Sequence, residues 1–112
     1  MTSDSLSMTF SALADPTRRA ILERLRSGKA TVGELAEPFE ISLPAISKHL
    51  RVLEKAALIN RENAAQWRLC SLAPEPMREA DAWLSRYREF WEHSLQQLGE
   101  YLNKSTGDND DG

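Results

Sequence analysis

Residues 31–57, TVGELAEPFEISLPAISKHLRVLEKAA, carry two helix-start signals that leave room for one short helix, a tight turn and a second helix. Thr31 and Glu34 spell a T-x-x-E capping box, in which hydroxyl and carboxylate satisfy each other's backbone amides and open a helix. Pro38 ends that helix, and Phe39 and Ile41 supply apolar anchors on either side of the turn. Ser42 caps the second helix, with Pro44 in its first turn, where a missing N–H costs nothing.

In the second helix Ile46, Leu50, Leu53 and Ala57 recur on one helical face. At roughly 100° per residue, Pro44, Lys48, Arg51 and Lys55 fall on the opposite face, flanked by Ser47 on one side and by Ala45 and Val52 on the other. Small residues at the N-terminal end let the backbone approach a surface closely, and cations behind them suit phosphates. A helix lying in a DNA major groove needs both. An amphipathic helix with a solvated basic face has the same pattern, so the flanking segments decide between the two.

Those segments resemble one family. SLPAISKHLRVLEKAALI, with ALADPTRRAILERL upstream, is similar to the recognition helix and the opening helix of the ArsR (arsenical-resistance-repressor) regulators. The resemblance covers roughly Phe10 to Leu72, with a compatible long helix after it. It implies a mainly α fold of the α+β winged helix type: a winged helix-turn-helix with a short β-hairpin wing and a long C-terminal dimerisation helix. It also implies a transcriptional repressor whose dimer is built from the last helix and the first. Single-domain bounds of 7–103 follow, with the helix-turn-helix at 31–57, the wing at 58–72 and the dimerisation helix at 75–103. Residues 104–112 then form a disordered acidic tail.

Along the rest of the chain, Ser7 to Leu13 reads as a first helix with Met8, Phe10 and Leu13 apolar. Asp15-Pro16 opens a second, which turns Ile21, Leu22 and Leu25 inward and ends at Ser27-Gly28. Of Arg18 and Arg19, at least one is expected to hold structure rather than DNA. Residues 58–62 and 66–72 show partial alternation around Asn63-Ala64-Ala65, the pattern of a hairpin. The family's wing tip commonly bears Gly and several Arg. Here it has neither, so among wing residues the cations assigned to DNA are Arg61 and Arg68. Trp67 is expected to pack rather than to stack on a base.

From about Glu75, Met77, Leu84, Trp91 and Leu98 repeat every seven residues, joined by Ala80, Tyr87 and Leu95. A helix of nearly 30 residues would be about 42 Å long, and a chain of 112 residues has no core long enough to cover both ends. The aromatic stripe of Trp83, Tyr87, Phe90, Trp91 and Tyr101 points the same way. A second copy is the commonest cover, with Phe10, Met77, Leu84, Tyr87, Trp91, Leu95 and Leu98 as the expected dimer interface. Two recognition helices then predict a palindromic operator with half-sites about one helical turn apart.

Composition limits the alternatives. With 41% hydrophobic and 28% charged residues the chain is globular in character, and neither a signal peptide nor a bilayer-spanning run is expected. The single cysteine, Cys70, rules out an internal disulfide and fits a reducing cytoplasm. Net charge is −3, yet Leu43 to Arg68 holds five Lys/Arg against two Glu, a local excess of +3 that predicts salt-sensitive binding.

No phosphate loop or nucleophile–base set supports an enzyme, and no cofactor is implied. Thiolate sensing needs clustered Cys, and Glu34-Leu35-Ala36-Glu37 has none. Asp81 and His93 stand twelve residues apart, about 18 Å along a helix, so no metal site is assigned. His49 reads as partly packed at the edge of the apolar face, within reach of the DNA backbone.

The residues therefore point to a cytoplasmic, dimeric, DNA-binding repressor acting on double-stranded DNA, with no small-molecule effector identified. Ser47 and Lys48 are assigned to base edges. Pro44 and Ala45 are assigned to close approach and thymine methyls, and Arg51, Lys55, Arg61 and Arg68 to phosphates. Two readings stay open beside it: a winged-helix protein-interaction module with weak or lost DNA binding, and a metal- or redox-responsive sensor acting through Cys70 or the last helix.

Overall fold

The computed structural model describes residues 4–65 and 67–110, with side chains through Ser105. Its elements run α1 (Ser5–Leu13), α2 (Pro16–Leu25), β1 (Ala30–Thr31), α3 (Val32–Ala36), α4 (Leu43–Lys55), β2 (Ile59–Ala64), β3 (Trp67–Leu72) and α5 (Glu75–Asp110). This is the mainly helical winged helix-turn-helix architecture. The sequence reads as one domain from 7 to 103, whereas the chain forms two compact units, residues 1–80 and 81–112.

Helix starts follow local chemistry. α1 begins at Ser5, two residues earlier than its apolar pattern indicates, because the Asp4 carboxylate accepts the Ser7 amide at 2.7 Å. Asp15 caps α2 with Pro16 following, and Thr31 and Glu34 form the reciprocal box that opens α3. The end of α1 is closed from α2. Arg18 donates to the Ala12 and Ser11 carbonyls at 2.7 and 3.1 Å, and Arg19 donates to the Leu13 carbonyl at 2.7 Å. Arg18 thus satisfies the Ala12 carbonyl and Arg19 the Leu13 carbonyl, at a helix end that leaves its last carbonyls short of intrahelical donors, while the Ser11 carbonyl also accepts the Ala14 amide.

The hairpin expected at 58–72 is part of a larger sheet. β2 pairs antiparallel with β3, from Ile59 opposite Leu72 to Ala64 opposite Trp67, and β1 joins the far side of β3, giving the order β1-β3-β2. A two-residue strand directly before a helix cap is too short to show alternation, so its pairing is a tertiary property. The wing turn includes Ala65 at φ +55°; residue 66 lies outside the described residues.

The core of the first unit gathers Ile21 and Leu25 of α2, Leu35 of α3, Ile46, Leu50 and Leu53 of α4, Leu58 just before the sheet, and Ile59 and Cys70 within it, all buried. At about 1.5–3 kcal/mol for each fully buried aliphatic side chain, this cluster is what orients α4. Ala57 departs from the expected stripe. The helix stops at Lys55, the Leu58 amide donates to the Leu53 carbonyl, and the Ala57 amide donates to the Glu54 carbonyl, both at 2.9 Å. That reversal needs a left-handed residue and usually takes glycine. Here Ala57 holds φ +60° and is exposed, while Ala56 takes the buried position.

α5 runs through Asp110, past the expected boundary at 103, and the tail expected to be disordered from residue 104 is helical up to that point. Its one proline, Pro76, stands in the first turn, where it breaks no hydrogen bond, and Gly99 and Gly107 each cost a propagating helix only about 1 kcal/mol. Within the second unit Trp83 and Tyr87 stack tilted at 5.1 Å, and Asp81 pairs with Arg88 at 3.5 Å. No helix among the described residues is long and apolar enough to cross a membrane.

Replacing Ala57 by glycine removes a Cβ from a left-handed position, a strain of about 1–2 kcal/mol, offset in part by greater unfolded-state entropy. Ala57→Gly should raise stability by about 0.5–1 kcal/mol in urea unfolding. A loss of stability would contradict this account of the helix end.

Candidate nucleic-acid interface

α4 is anchored along one side and open along the other. The Ser42 hydroxyl accepts the Ala45 amide at 3.3 Å, and Pro44 stands in the first turn. Ile46, Leu50 and Leu53 are all 0% exposed. Rotated away from them, Pro44, Lys48, Arg51 and Lys55 are exposed, with Ala45 and Ser47 half-buried at the margins. The residues assigned to DNA on this helix therefore share one outward surface.

His49 is held at the edge of that surface. Its Nδ1 lies 3.4 Å from the Arg18 guanidinium and 3.8 Å from the Asp15 carboxylate. The Asp15 carboxyl is held below its ordinary value, first by the Arg18 backbone amide it accepts and further by His49 and Arg18 nearby. α4 is thus tied to the start of α2 by polar contacts as well as by the core.

The wing places its cations on one face. Arg61 stands opposite Cys70, and Arg68 opposite Asn63, so these four side chains project to the same side of the hairpin. Arg61, Asn63 and Arg68 line a cleft of about 210 Å³ with Glu54, from the last turn of α4. Glu62, on the other face, is engaged by Lys29. Trp67 is not packed as expected. It is 57% exposed and borders a second cleft, of about 360 Å³, with Thr31, Glu34 and Leu69. The register puts Trp67 at the turn end of β3, beyond the buried part of the sheet.

Sequence reasoning passed over Leu43, Asn63 and Glu54. Leu43 is 57% exposed at the first position of α4, although its spacing lies near the apolar stripe; it precedes Ile46 by a turn and lies beyond the packed layer. Asn63 and Glu54 join the wing cations through strand register and helix length, which no local pattern encodes.

Cys70 is fully buried, and burial pushes its thiol up, opposed by the Arg61 guanidinium beside it. Among the described residues no group of three or more His, Cys, Asp or Glu is placed to hold a metal ion. Of the residues assigned to the dimer interface, Phe10 is half-buried and Met77 is exposed in the first unit. Leu84, Tyr87, Trp91, Leu95 and Leu98 are exposed in the second.

A helix-turn-helix domain family matches residues 13–62. The HTH-type transcriptional regulator Rv2034 of Mycobacterium tuberculosis is 40% identical over 99 residues, which cover 88% of this chain and 89% of that one. The crystal structure of an ArsR family transcriptional regulator superposes with a TM-score of 0.74 at 45% identity, over 80% of this chain and 98% of that one. The chain belongs to the ArsR family. The transcriptional repressor SdpR of Bacillus subtilis is a further relative, 38% identical over 78 residues that span 70% of this chain and 87% of that one. Like them, this ArsR-family chain is a DNA-binding transcriptional regulator, and α4 lies within the matched helix-turn-helix region.

The burial of Cys70 also bears on redox sensing. A protonated, solvent-excluded thiol is a poor nucleophile. Cys70 should react with a disulfide reagent such as DTNB far more slowly in the native protein than in denaturant. Equal rates would show an accessible thiol.

Proposed function

We propose that this ArsR-family regulator is a cytoplasmic repressor that binds a palindromic operator as a homodimer. The observation that carries the reading is the division of α4: Ile46, Leu50 and Leu53 wholly buried, Pro44, Lys48, Arg51 and Lys55 outward. A helix locked on one side and cationic on the other is built to enter a major groove. Ser47 and Lys48 reach base edges, Pro44 and Ala45 allow close approach, and Arg51, Lys55, Arg61 and Arg68 hold phosphates that set register. SdpR is named a repressor, which supports that regulatory sign here.

The dimer reading rests on α5. Leu84, Tyr87, Trp91, Leu95 and Leu98 carry 38–63% of their surface exposed, and a helix with so much accessible apolar side chain is stabilised by a second copy. No effector or cofactor enters the proposal, and regulation by the level of the protein itself suffices for it.

Fluorescence anisotropy against DNA upstream of the coding sequence, beside a scrambled duplex across a salt series, tests the reading. Operator binding should exceed scrambled binding by about 10³ or more. Equal weak binding to both, repeated with genome-selected fragments, would overturn it. Lys48→Ala should cost about 1–3 kcal/mol on the operator and little on the scramble if it reads a base. Equal loss on both would reassign it to a phosphate. Leu84→Glu should give monomers in sedimentation and abolish operator binding, whereas a variant still dimeric would remove α5 from the interface.

A further inference from the structure

Of the large apolar side chains exposed in the first unit Trp67 is the bulkiest, and it borders a cleft of about 360 Å³. Strand register sets what surrounds it. Trp67 and Leu69 alternate onto one face of the sheet, with Thr31 of β1 across from Leu69, while Arg68 and buried Cys70 take the other face. Glu34, from the first turn of α3, completes the lining. The volume falls within the roughly 300–1,000 Å³ typical of small-molecule sites.

Among the described residues Glu34 is the one charged group that lines this cleft. Its Oε1 accepts the Thr31 amide at 3.0 Å, and that hydrogen bond holds the carboxyl below its ordinary value, so it is an anion at neutral pH. Its Oε2 lies 3.7 Å from the Arg24 guanidinium, an exposed pair beyond hydrogen-bond reach and therefore weak. A carboxylate has about four acceptor positions, so the capping box leaves Glu34 able to accept another donor. Lys29, on the same face of the sheet, is paired with Glu62. Of the aromatic side chains an indole attracts cations most strongly, and a carboxylate beside it favours cations and repels anions.

We infer that the cleft between α3 and β3 is a binding site for a small organic cation, its ammonium or guanidinium group held between Trp67 and Glu34 and its apolar body against Leu69. The site uses none of the residues assigned to DNA or to the second copy, so it stands independently of the operator reading. It also gives the exposed indole a role that packing does not.

The test titrates the full chain with benzyltrimethylammonium, with benzyl alcohol and phenylacetate as neutral and anionic controls carrying the same ring. Indole N–H signals in ¹H–¹⁵N spectra report the site. The chain has three tryptophans, Trp67, Trp83 and Trp91, and Trp67→Phe identifies the signal of interest. The Trp67 signal should move while those of Trp83 and Trp91 stay in place. The cation should bind about tenfold tighter than the alcohol, and phenylacetate should leave Trp67 unmoved. Glu34→Gln keeps a side-chain acceptor for the Thr31 amide, so the capping box survives. It should weaken the cation by about three- to tenfold and leave the alcohol unchanged. Trp67→Leu, at an exposed position, should weaken the cation by about the same factor.

Equal affinity for the cation, the alcohol and the anion would reduce the cleft to an apolar surface and overturn the proposal. A stationary Trp67 signal, or cation binding unchanged in both variants, would overturn it too. An oligo-arginine peptide that moves Trp67 where benzyltrimethylammonium does not would overturn it in favour of a basic protein partner.

Discussion

Everything in the first unit depends on one side of α4 being out of water. Ile46, Leu50 and Leu53 are sealed against α2, α3 and the sheet, and because a helix is rigid at the level of its side-chain directions, burying those three aims Lys48, Arg51 and Lys55 outward. The ends of the helix are set with the same economy. Ser42 closes the amide end, and the Leu53–Leu58 hydrogen bond closes the carbonyl end. Because Leu53 and Leu58 are both fully buried, that reversal also delivers the chain into β2. Hydrophobic burial thus fixes the orientation of the groove helix and the entry to the wing together.

Polar contacts then restrict how α4 can move against its neighbours. Arg18 serves two elements at once, closing the carbonyl end of α1 and reaching His49 on α4, while Asp15 caps α2 and faces the same histidine. These groups are half-buried, where a hydrogen bond is worth more than at the surface and a missing partner costs more. The wing is held from both sides, by β3 pairing with β1 and by Lys29 engaging Glu62. A helix and a hairpin held in this way present phosphate ligands at a defined separation, and phosphate contacts position a protein on DNA.

Charge explains how a chain with a net charge of −3 can serve a polyanion. Screening over about 8–10 Å at physiological salt makes the local arrangement matter more than the total. The acidic residues closest to the basic surface are either spent, as Glu62 on Lys29 and Glu34 on its own capping box, or placed where they compete, as Glu54 in the wing cleft. The second unit has a different character. Its helix carries aromatic and aliphatic side chains in the open, a surface suited to association through apolar contact.

Much of this was legible in the residues themselves, because it depends on neighbours in the chain. The capping box at Thr31 and Glu34, the Asp15-Pro16 start, the Ser42 cap and the apolar stripe of α4 all act within a turn or two, so spacing reveals them. Family membership could be read from the same stretches. Other features require contacts between distant segments. Strand β1 exists because Ala30 and Thr31 meet Cys70 and Leu69. The left-handed turn at Ala57 carries no glycine to announce it and is imposed by the burial of Leu58. Trp67 is exposed because strand register, not hydrophobicity, sets where the sheet's buried part ends. By itself the sequence determined the helices, their polar and apolar sides and the family to which the chain belongs, since those follow from short-range chemistry. Tertiary structure alone decided the third strand, the full reach of α5 and the meeting of Arg61, Asn63 and Arg68 with Glu54, since each depends on cooperative propagation or on pairing across long separations.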